Sequence, residues 1–123
     1  MRHKTKKVKL GRQPDHVSAL IKNLTTSVIL YEKVKTTRAK AKAIVPYIEK
    51  IITIARKVEN GKMGKREGIR ELSLRVLDAN ASRKLLEELG KRYATRSSGF
   101  TRITALGFRS GDAAPVVQIE LIK

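Results

Sequence analysis

Cysteine and tryptophan are absent from the 123 residues, and the aromatic content is three tyrosines and two phenylalanines. Without cysteine there is no disulfide, no thiolate nucleophile and no zinc-thiolate finger, so a reducing cytosol is the expected compartment. So few aromatic side chains cannot build a platform that stacks a single strand base after base. No apolar run approaches the roughly 18 residues of a membrane span. Acid is scarce as well: 11 Asp and Glu stand against 28 Lys and Arg, for a formal charge of +17. Self-repulsion on that scale weakens a compact state unless a polyanion neutralises it, which makes nucleic acid the leading partner.

The ingredients of catalysis are missing too. His3 and His16 are the two histidines, and no third group is positioned with either, so each reads as an RNA contact or a cap and not as a base. Glu87 and Glu88 are adjacent on a helix and diverge, while Glu67 and Glu71 sit one turn apart on a face shared with lysine and arginine. The string NGKMGKR lacks both the gap before Gly-Lys and the following Ser or Thr of a phosphate-binding loop. No acid or histidine cluster suits a metal. The expectation is a protein without cofactor, metal or small-molecule substrate, and without a membrane partner.

What is present is patterned. MRHKTKKVKLGR is almost devoid of apolar residues and carries no acid, so residues 1–14 read as a flexible basic arm that orders only against a partner. Residues 15–123 read as one domain. Val17, Leu20, Ile21, Leu24 and Val28 recur at helical intervals, predicting a first helix over about His16 to Leu30, with Asp15 as its N-cap behind Pro14. KVKTT reads as a brief strand. Thr37 is placed to cap a second helix with Ile44, Ile48, Ile51 and Ala55 on one face, kinked at Pro46. After a Gly-rich charged break, Ile69, Leu72, Val76 and Leu77 predict a third helix, and Leu85, Leu86 and Leu89 a fourth that ends at Gly90 as its C′ residue. FTRITALGF and VVQIELI then alternate with period two around RSGDAAP, the signature of an antiparallel hairpin. The fold class is α+β: four helices on a small three-stranded mixed or antiparallel sheet, in the order α-β-α-α-α-β-β.

The cations cluster. Three acid-free stretches, Met1 to Pro14, Lys33 to Ile48 and Leu89 to Gly111, carry six, five and five of them. Arg38, Lys40 and Lys42 fan around the start of the second helix. The small alanines at 39, 41 and 43 either admit a phosphate backbone or serve tight helix packing. In KRYATRSSGFTR, Arg92, Arg96 and Arg102 combine with Ser97, Ser98 and Gly99, donors and bare backbone suited to phosphate oxygens. Tyr93 and Phe100 either stack on bases or fill the core. Structured RNA or duplex held by its backbone fits this distribution. A nucleoid-type DNA binder and an RNA-modifying enzyme are the rivals, although no tight helix-turn-helix with a charged recognition helix is visible.

MRHK, LGR and PDH near the start, then ALIKNL, VKTT with AKAK, ITIARK, LLEELGKRYATRSSGFTRI and GDAAPVVQIEL, together resemble the bacterial large-subunit ribosomal protein L17 family from first residue to last. The resemblance implies a structural constituent of the ribosome that is not an enzyme. It implies binding to large-subunit (23S) ribosomal RNA near the polypeptide exit side, beside neighbouring large-subunit ribosomal proteins. Charge and motif position then nominate the RNA contacts. Arg2, His3, Lys4, Lys6, Lys7, Lys9 and Arg12 would neutralise phosphates, with Gly11 turning the backbone and His16 following. Lys35, Thr36, Thr37, Arg38, Lys40 and Lys42 come next in the chain, and Arg92, Arg96, Ser97, Gly99 and Arg102 complete the set.

Overall fold

The structure is a computed structural model that describes residues 9–123; the arm residues Arg2, His3, Lys4, Lys6 and Lys7 lie outside the described residues. The chain enters α1 (Pro14–Tyr31) with Pro14 at its first position, where a missing N–H costs nothing. Gln13 therefore occupies the cap position, and Asp15 lies inside the first turn, where its charge favours the helix dipole without capping it. Val17, Ile21, Val28 and Ile29 are buried along one stripe. Glu32, at φ 62°, closes the helix in the left-handed region, its N–H donating to the Val28 carbonyl at 2.8 Å. That corner turns the chain directly into β1 (Lys33–Thr37).

The helix α2 (Arg38–Glu59) runs through Pro46 without interruption and buries Ile44, Ile48, Ile51, Ile52 and Ala55. It is the central element, packing against the other helices and all three strands. The short α3 (Lys65–Ser73) buries Leu72, but the helical period does not continue: Val76 is buried in the connection that follows and Leu77 is exposed. The fourth helix, α4, starts at Ala79–Lys84, capped by the Asp78 side chain accepting from the Asn80 N–H at 2.8 Å. It widens into a π-helical turn over Leu85–Leu89 and ends over Gly90–Arg92. Gly90 is thus helical, at φ −59°, and not the left-handed C′ residue its sequence position suggests. A Cβ there would sit 3.0 Å from the Ala55 carbonyl oxygen, a tight contact that glycine relieves where this helix approaches α2.

β2 (Thr101–Phe108) and β3 (Pro115–Leu121) form the expected hairpin, and β1 pairs with the other edge of β3, giving an antiparallel sheet in the order β1-β3-β2. In register, Val34 and Ile103 flank Ile119, while Lys33 and Arg102 flank Glu120. One face therefore carries Val117, Ile119 and Leu121 into the helices, and the other carries polar side chains outward. A bulge between Ala105 and Gly107, with Gly107 at φ 121°, resets the register toward the hairpin tip. The core is aliphatic, with Phe100 as its largest fully buried side chain. Strict alternation would have placed Phe100 outside with Arg102; the strand begins one residue later, and Phe100 turns in.

Candidate nucleic-acid interface

The described end of the arm is a tight turn. Leu10 and Gly11 are both left-handed, at φ 51° and 67°, and the Arg12 N–H donates to the Lys9 carbonyl at 3.1 Å. Glycine suits the second of these positions because it carries no Cβ to clash. The Arg12 guanidinium donates to the Leu10 carbonyl at 2.9 Å, and Lys9, Arg12 and the nearby His16 on α1 are exposed.

A second basic group forms where β1 meets α2. Alternation along the strand exposes Lys33 and Lys35 on the outer face of the sheet and tucks Val34 and Thr36 behind them. Thr37 is extended at the N-cap of α2 and makes no side-chain cap bond, and the first turn contains no acid. Arg38 and Lys42 are exposed and Lys40 is half-buried, so the fan of charge surrounds the positive end of a 22-residue helix dipole. Ala41 and Ala43 are buried in helix packing, and only Ala39 faces out. A shallow depression of about 300 Å3 gathers Lys35, Thr36, Thr37 and Lys40 with Arg109 from the hairpin tip. Cationic side chains, hydroxyls and free helix N–H groups converging in one place suit the oxygens of a phosphate.

The segment from Tyr93 to Arg102 is built differently. Tyr93 and Phe100 are both in the core, ring centroids 5.1 Å apart and tilted by 51°, which leaves neither face to a base. The Tyr93 hydroxyl donates to the Ile122 carbonyl, and burial pushes its pKa up. α2 holds the segment from below. Glu49 Oε1 accepts from the Phe100 N–H at 2.9 Å and from the Thr101 hydroxyl at 3.3 Å. Arg56 Nε donates to the Tyr93 carbonyl at 2.8 Å, its other nitrogens reach the Ala94 and Ser97 carbonyls at 3.5 Å, and its guanidinium lies 5.9 Å over the Phe100 ring. The outer rim of the loop is exposed: Ser97, Ser98, Gly99 at φ 70°, and Arg96, whose Nε donates to the Ser98 carbonyl at 3.1 Å.

Counter-charge separates these groups. Arg92 is held by the Glu32 carboxylate and by Glu88 at 3.0 Å, and Glu32 also meets Lys84 at 3.7 Å. The hydrogen bond from Arg92 is the main reason that the Glu32 carboxyl lies below its ordinary pKa and that Arg92 lies above its own. Arg102 is 3.6 Å from Glu120 across the sheet. At the hairpin tip, the Arg109 guanidinium and the Ala114 N–H lower Asp112 to about 2. By contrast Lys9, Lys35, Arg38, Lys40, Lys42 and Arg96 have no carboxylate in ion-pair range among the described residues. Among the described residues there is also no cluster that could hold a metal, and no helix is long and apolar enough to cross a membrane.

Glu32, Glu49 and Arg56 were not singled out by the sequence pattern, although they organise the site. The spacing of Glu49 and Arg56, two helical turns on one face of α2, is the one signal that could have marked them as partners of a common neighbour.

Comparison with known proteins agrees with the resemblance in the motifs. A family model described as Ribosomal protein L17 matches residues 20–122. Large ribosomal subunit protein bL17 of Novosphingobium aromaticivorans is 42% identical over 122 residues, covering 99% of this chain and 82% of its own length. The protein of the same name from Ehrlichia canis is 42% identical over 122 residues, covering 99% and 91%. The one from Neorickettsia sennetsu is 41% identical over 123 residues, covering 99% of this chain and all of its own length. With a family model across most of the domain and relatives of this identity along nearly the whole chain, the protein belongs to the ribosomal protein L17 family.

Proposed function

We propose that the chain is a non-enzymatic building block of the large ribosomal subunit that binds large-subunit (23S) ribosomal RNA through its phosphates. The observation that carries this reading is the split in counter-charge. Acids are consumed inside the fold by Arg92, Lys84 and the Phe100 segment, whereas Lys35, Arg38, Lys40 and Lys42 stand together at the acid-free end of α2. An RNA backbone supplies the missing negative charge there. The base of the arm, Lys9 to Arg12, forms a second contact, and Arg2, His3, Lys4, Lys6 and Lys7, which precede it in the sequence, are assigned to the same contact, as part of an arm over residues 1–14 ahead of one domain over residues 15–123. Arg96, Ser97 and Gly99 on the outer loop form a third, held in place by Arg56.

Neighbouring large-subunit proteins are assigned to the edge strand β2, where Leu106 and Phe108 near the hairpin tip and Ile103 closer to the start of the strand are exposed, Phe108 to 77%. Apolar side chains grouped in this way suit a protein contact better than a phosphate.

Sedimentation of a cell lysate through sucrose gradients at low and then high salt tests the assignment. Co-migration with the large subunit through the salt wash is the expected result. Release into the light fractions at modest salt, or absence from the subunit throughout, would demote the chain to a peripheral binder and revive the DNA reading.

A further inference from the structure

The two edges of the sheet are built differently. β1 is five residues long and exposes Lys33 and Lys35, and lysine on a short edge strand discourages another chain from pairing there. β2 runs for eight residues, Thr101–Phe108, with no lysine, proline or acid. Its single charge, Arg102, lies 3.6 Å from Glu120 on β3, and Arg109, just beyond its end, is paired with Asp112. In a chain of net charge +17, this strand is locally neutral.

Half of the β2 backbone faces away from the sheet. The Ile122 N–H donates to the Phe100 carbonyl at 2.9 Å, whereas the Leu121 N–H donates to the opposite side, to the Glu32 carbonyl at 3.0 Å. Phe100 and Ile122 are therefore a hydrogen-bonded pair, and in an antiparallel ladder such pairs alternate with unbonded ones. With Arg102 opposite Glu120 and Thr104 opposite Gln118, the alternation turns the N–H and C=O groups of Arg102 and Thr104 toward β3 and those of Thr101, Ile103 and Ala105 outward. Apart from the pairing of β2 with β3, no backbone group among the described residues bonds to these three. The bulge ends this regular edge at Ala105.

The side chains are left open as well. Ile103 and Ala105 lie opposite Ile119 and Val117 on the face that the helices cover over β3, and Phe108 lies opposite Pro115 on the same face. Yet Ile103 is 37% exposed, Phe108 is 77% exposed and Ala105 is exposed, so the helical layer leaves this margin of the sheet bare.

We propose that a neighbouring large-subunit protein adds an extended, uncharged segment to this edge, pairing its backbone with Thr101, Ile103 and Ala105 and laying apolar side chains at alternate positions against Ile103 and Phe108. The proposal rests on the ribosomal reading and adds to it the mode of contact and the chemistry of the partner. Charge selects the occupant. A phosphate backbone finds no unpaired cation along the strand among the described residues, and a second copy of the chain would bring a further +17 to the edge. A neutral strand meets neither penalty and covers the bare apolar margin as it pairs.

The test follows amide exchange, residue by residue, in the full chain when free and within purified large subunits. In the free chain the outward Ile103 and Ala105 amides are expected to exchange fast and those of Arg102 and Thr104 slowly; in the subunit Ile103 and Ala105 should slow by about a hundredfold. In the same subunits, photoreactive benzoylphenylalanine in place of Leu106 should cross-link to an uncharged stretch of another large-subunit protein. Ile103→Pro removes an N–H that the ladder to β3 does not use, and proline is tolerated at such edge positions. It is expected to keep its affinity for large-subunit ribosomal RNA and to lower the cross-link yield about fivefold. Ile103→Lys, which keeps the N–H and charges the apolar margin, should lower the yield similarly and replaces the proline variant if that one does not fold.

Unchanged exchange of Ile103 and Ala105 in the subunit overturns the proposal, and so does an undiminished cross-link yield from the variants. A cross-link to ribosomal RNA alone overturns it in favour of a nucleic-acid contact, and one to a second copy overturns it in favour of a dimer. If the chain is absent from large subunits, the ribosomal reading falls and strand addition with it; if it is present and the edge amides stay open, strand addition alone falls.

Discussion

The two halves of α2 use charge in opposite ways. In its first two turns the exposed Arg38 and Lys42 and the half-buried Lys40 have no carboxylate among the described residues to meet them. Two turns later Glu49 and Arg56 turn toward the fold, and their hydrogen bonds hold the Tyr93 to Thr101 segment against the core. Helix propensity does not distinguish the two halves, since lysine and arginine are good formers in both. What differs is the source of the counter-charge and hydrogen-bond partners. Where the protein supplies them, a charged side chain stabilises the fold; where it does not, the side chain is left for a ligand. On the function proposed above, that distinction would separate, in a chain of net charge +17, the cations that bind from those that build.

The largest effect is expected from breaking the outward half. Replacing Lys35, Arg38, Lys40 and Lys42 together by Gln should lower affinity for large-subunit ribosomal RNA by about two orders of magnitude near physiological salt. It should also flatten the log-log salt dependence by roughly 0.7 to 0.9 for each phosphate that is no longer neutralised. The thermal midpoint should hold or rise as self-repulsion relaxes. Filter binding across a salt series reads both quantities, and an unchanged slope would remove this corner from the interface.

Breaking the inward half should do the reverse. Arg56→Met keeps the aliphatic stem and removes the guanidinium from three carbonyls and from the Phe100 ring. The Tyr93 carbonyl retains the Arg96 N–H as a donor, at 3.0 Å, which limits the damage. The expected cost is about 1 to 2 kcal/mol in urea unfolding, with the RNA salt slope intact. A flatter slope with unchanged stability would mean that Arg56 belongs with the binding cations after all.

Much of this architecture was legible in the sequence because it is local. The stripe Ile44, Ile48, Ile51 and Ala55, the brief strand KVKTT and the period-two runs around RSGDAAP all announce themselves within a few residues. Asp15 is misplaced by one local step, since Pro14 takes the first helical position, and two other misplacements occur where distant chain segments decide. Gly90 looks like a helix stop, but it is helical and lies where a Cβ would press on the Ala55 carbonyl oxygen of α2. Phe100 is drawn inward, its N–H bound by a glutamate 51 residues away. The candidate interface divides in the same way. Runs of lysine and arginine can be read directly, but which of them are neutralised depends on pairings such as Glu32 with Arg92, separated by 60 residues.

The smallest expected effect sharpens the comparison at Arg92, which sequence position nominates for RNA and which the fold holds between Glu32 and Glu88. Glu32 sits at the left-handed corner joining α1 to β1, and its carbonyl accepts from the Leu121 N–H at 3.0 Å, so the ion pair ties the fourth helix to the start of the sheet. Its carboxyl is lowered from 4.5 by the Arg92 hydrogen bond, then by the nearby charges of Arg92 and Lys84, against the opposing effect of burial. A lowered folded-state pKa means that the unfolded chain binds the proton first as pH falls. The stabilisation is therefore fully present above the unfolded value near 4.5 and disappears as pH drops through the folded value. For a half-buried pair the contribution is about 1 kcal/mol. Urea unfolding of the wild type and of Glu32→Gln at pH 6 should differ by about that much, and the two curves should converge as the pH falls below 4.5 and through the lowered folded-state value. Arg92→Gln should likewise reduce stability at pH 6 while leaving the salt slope of RNA binding unchanged. A flattened slope in that variant would show that Arg92 leaves its carboxylates for a phosphate when RNA is bound, and would move it from the structural cations to the binding ones.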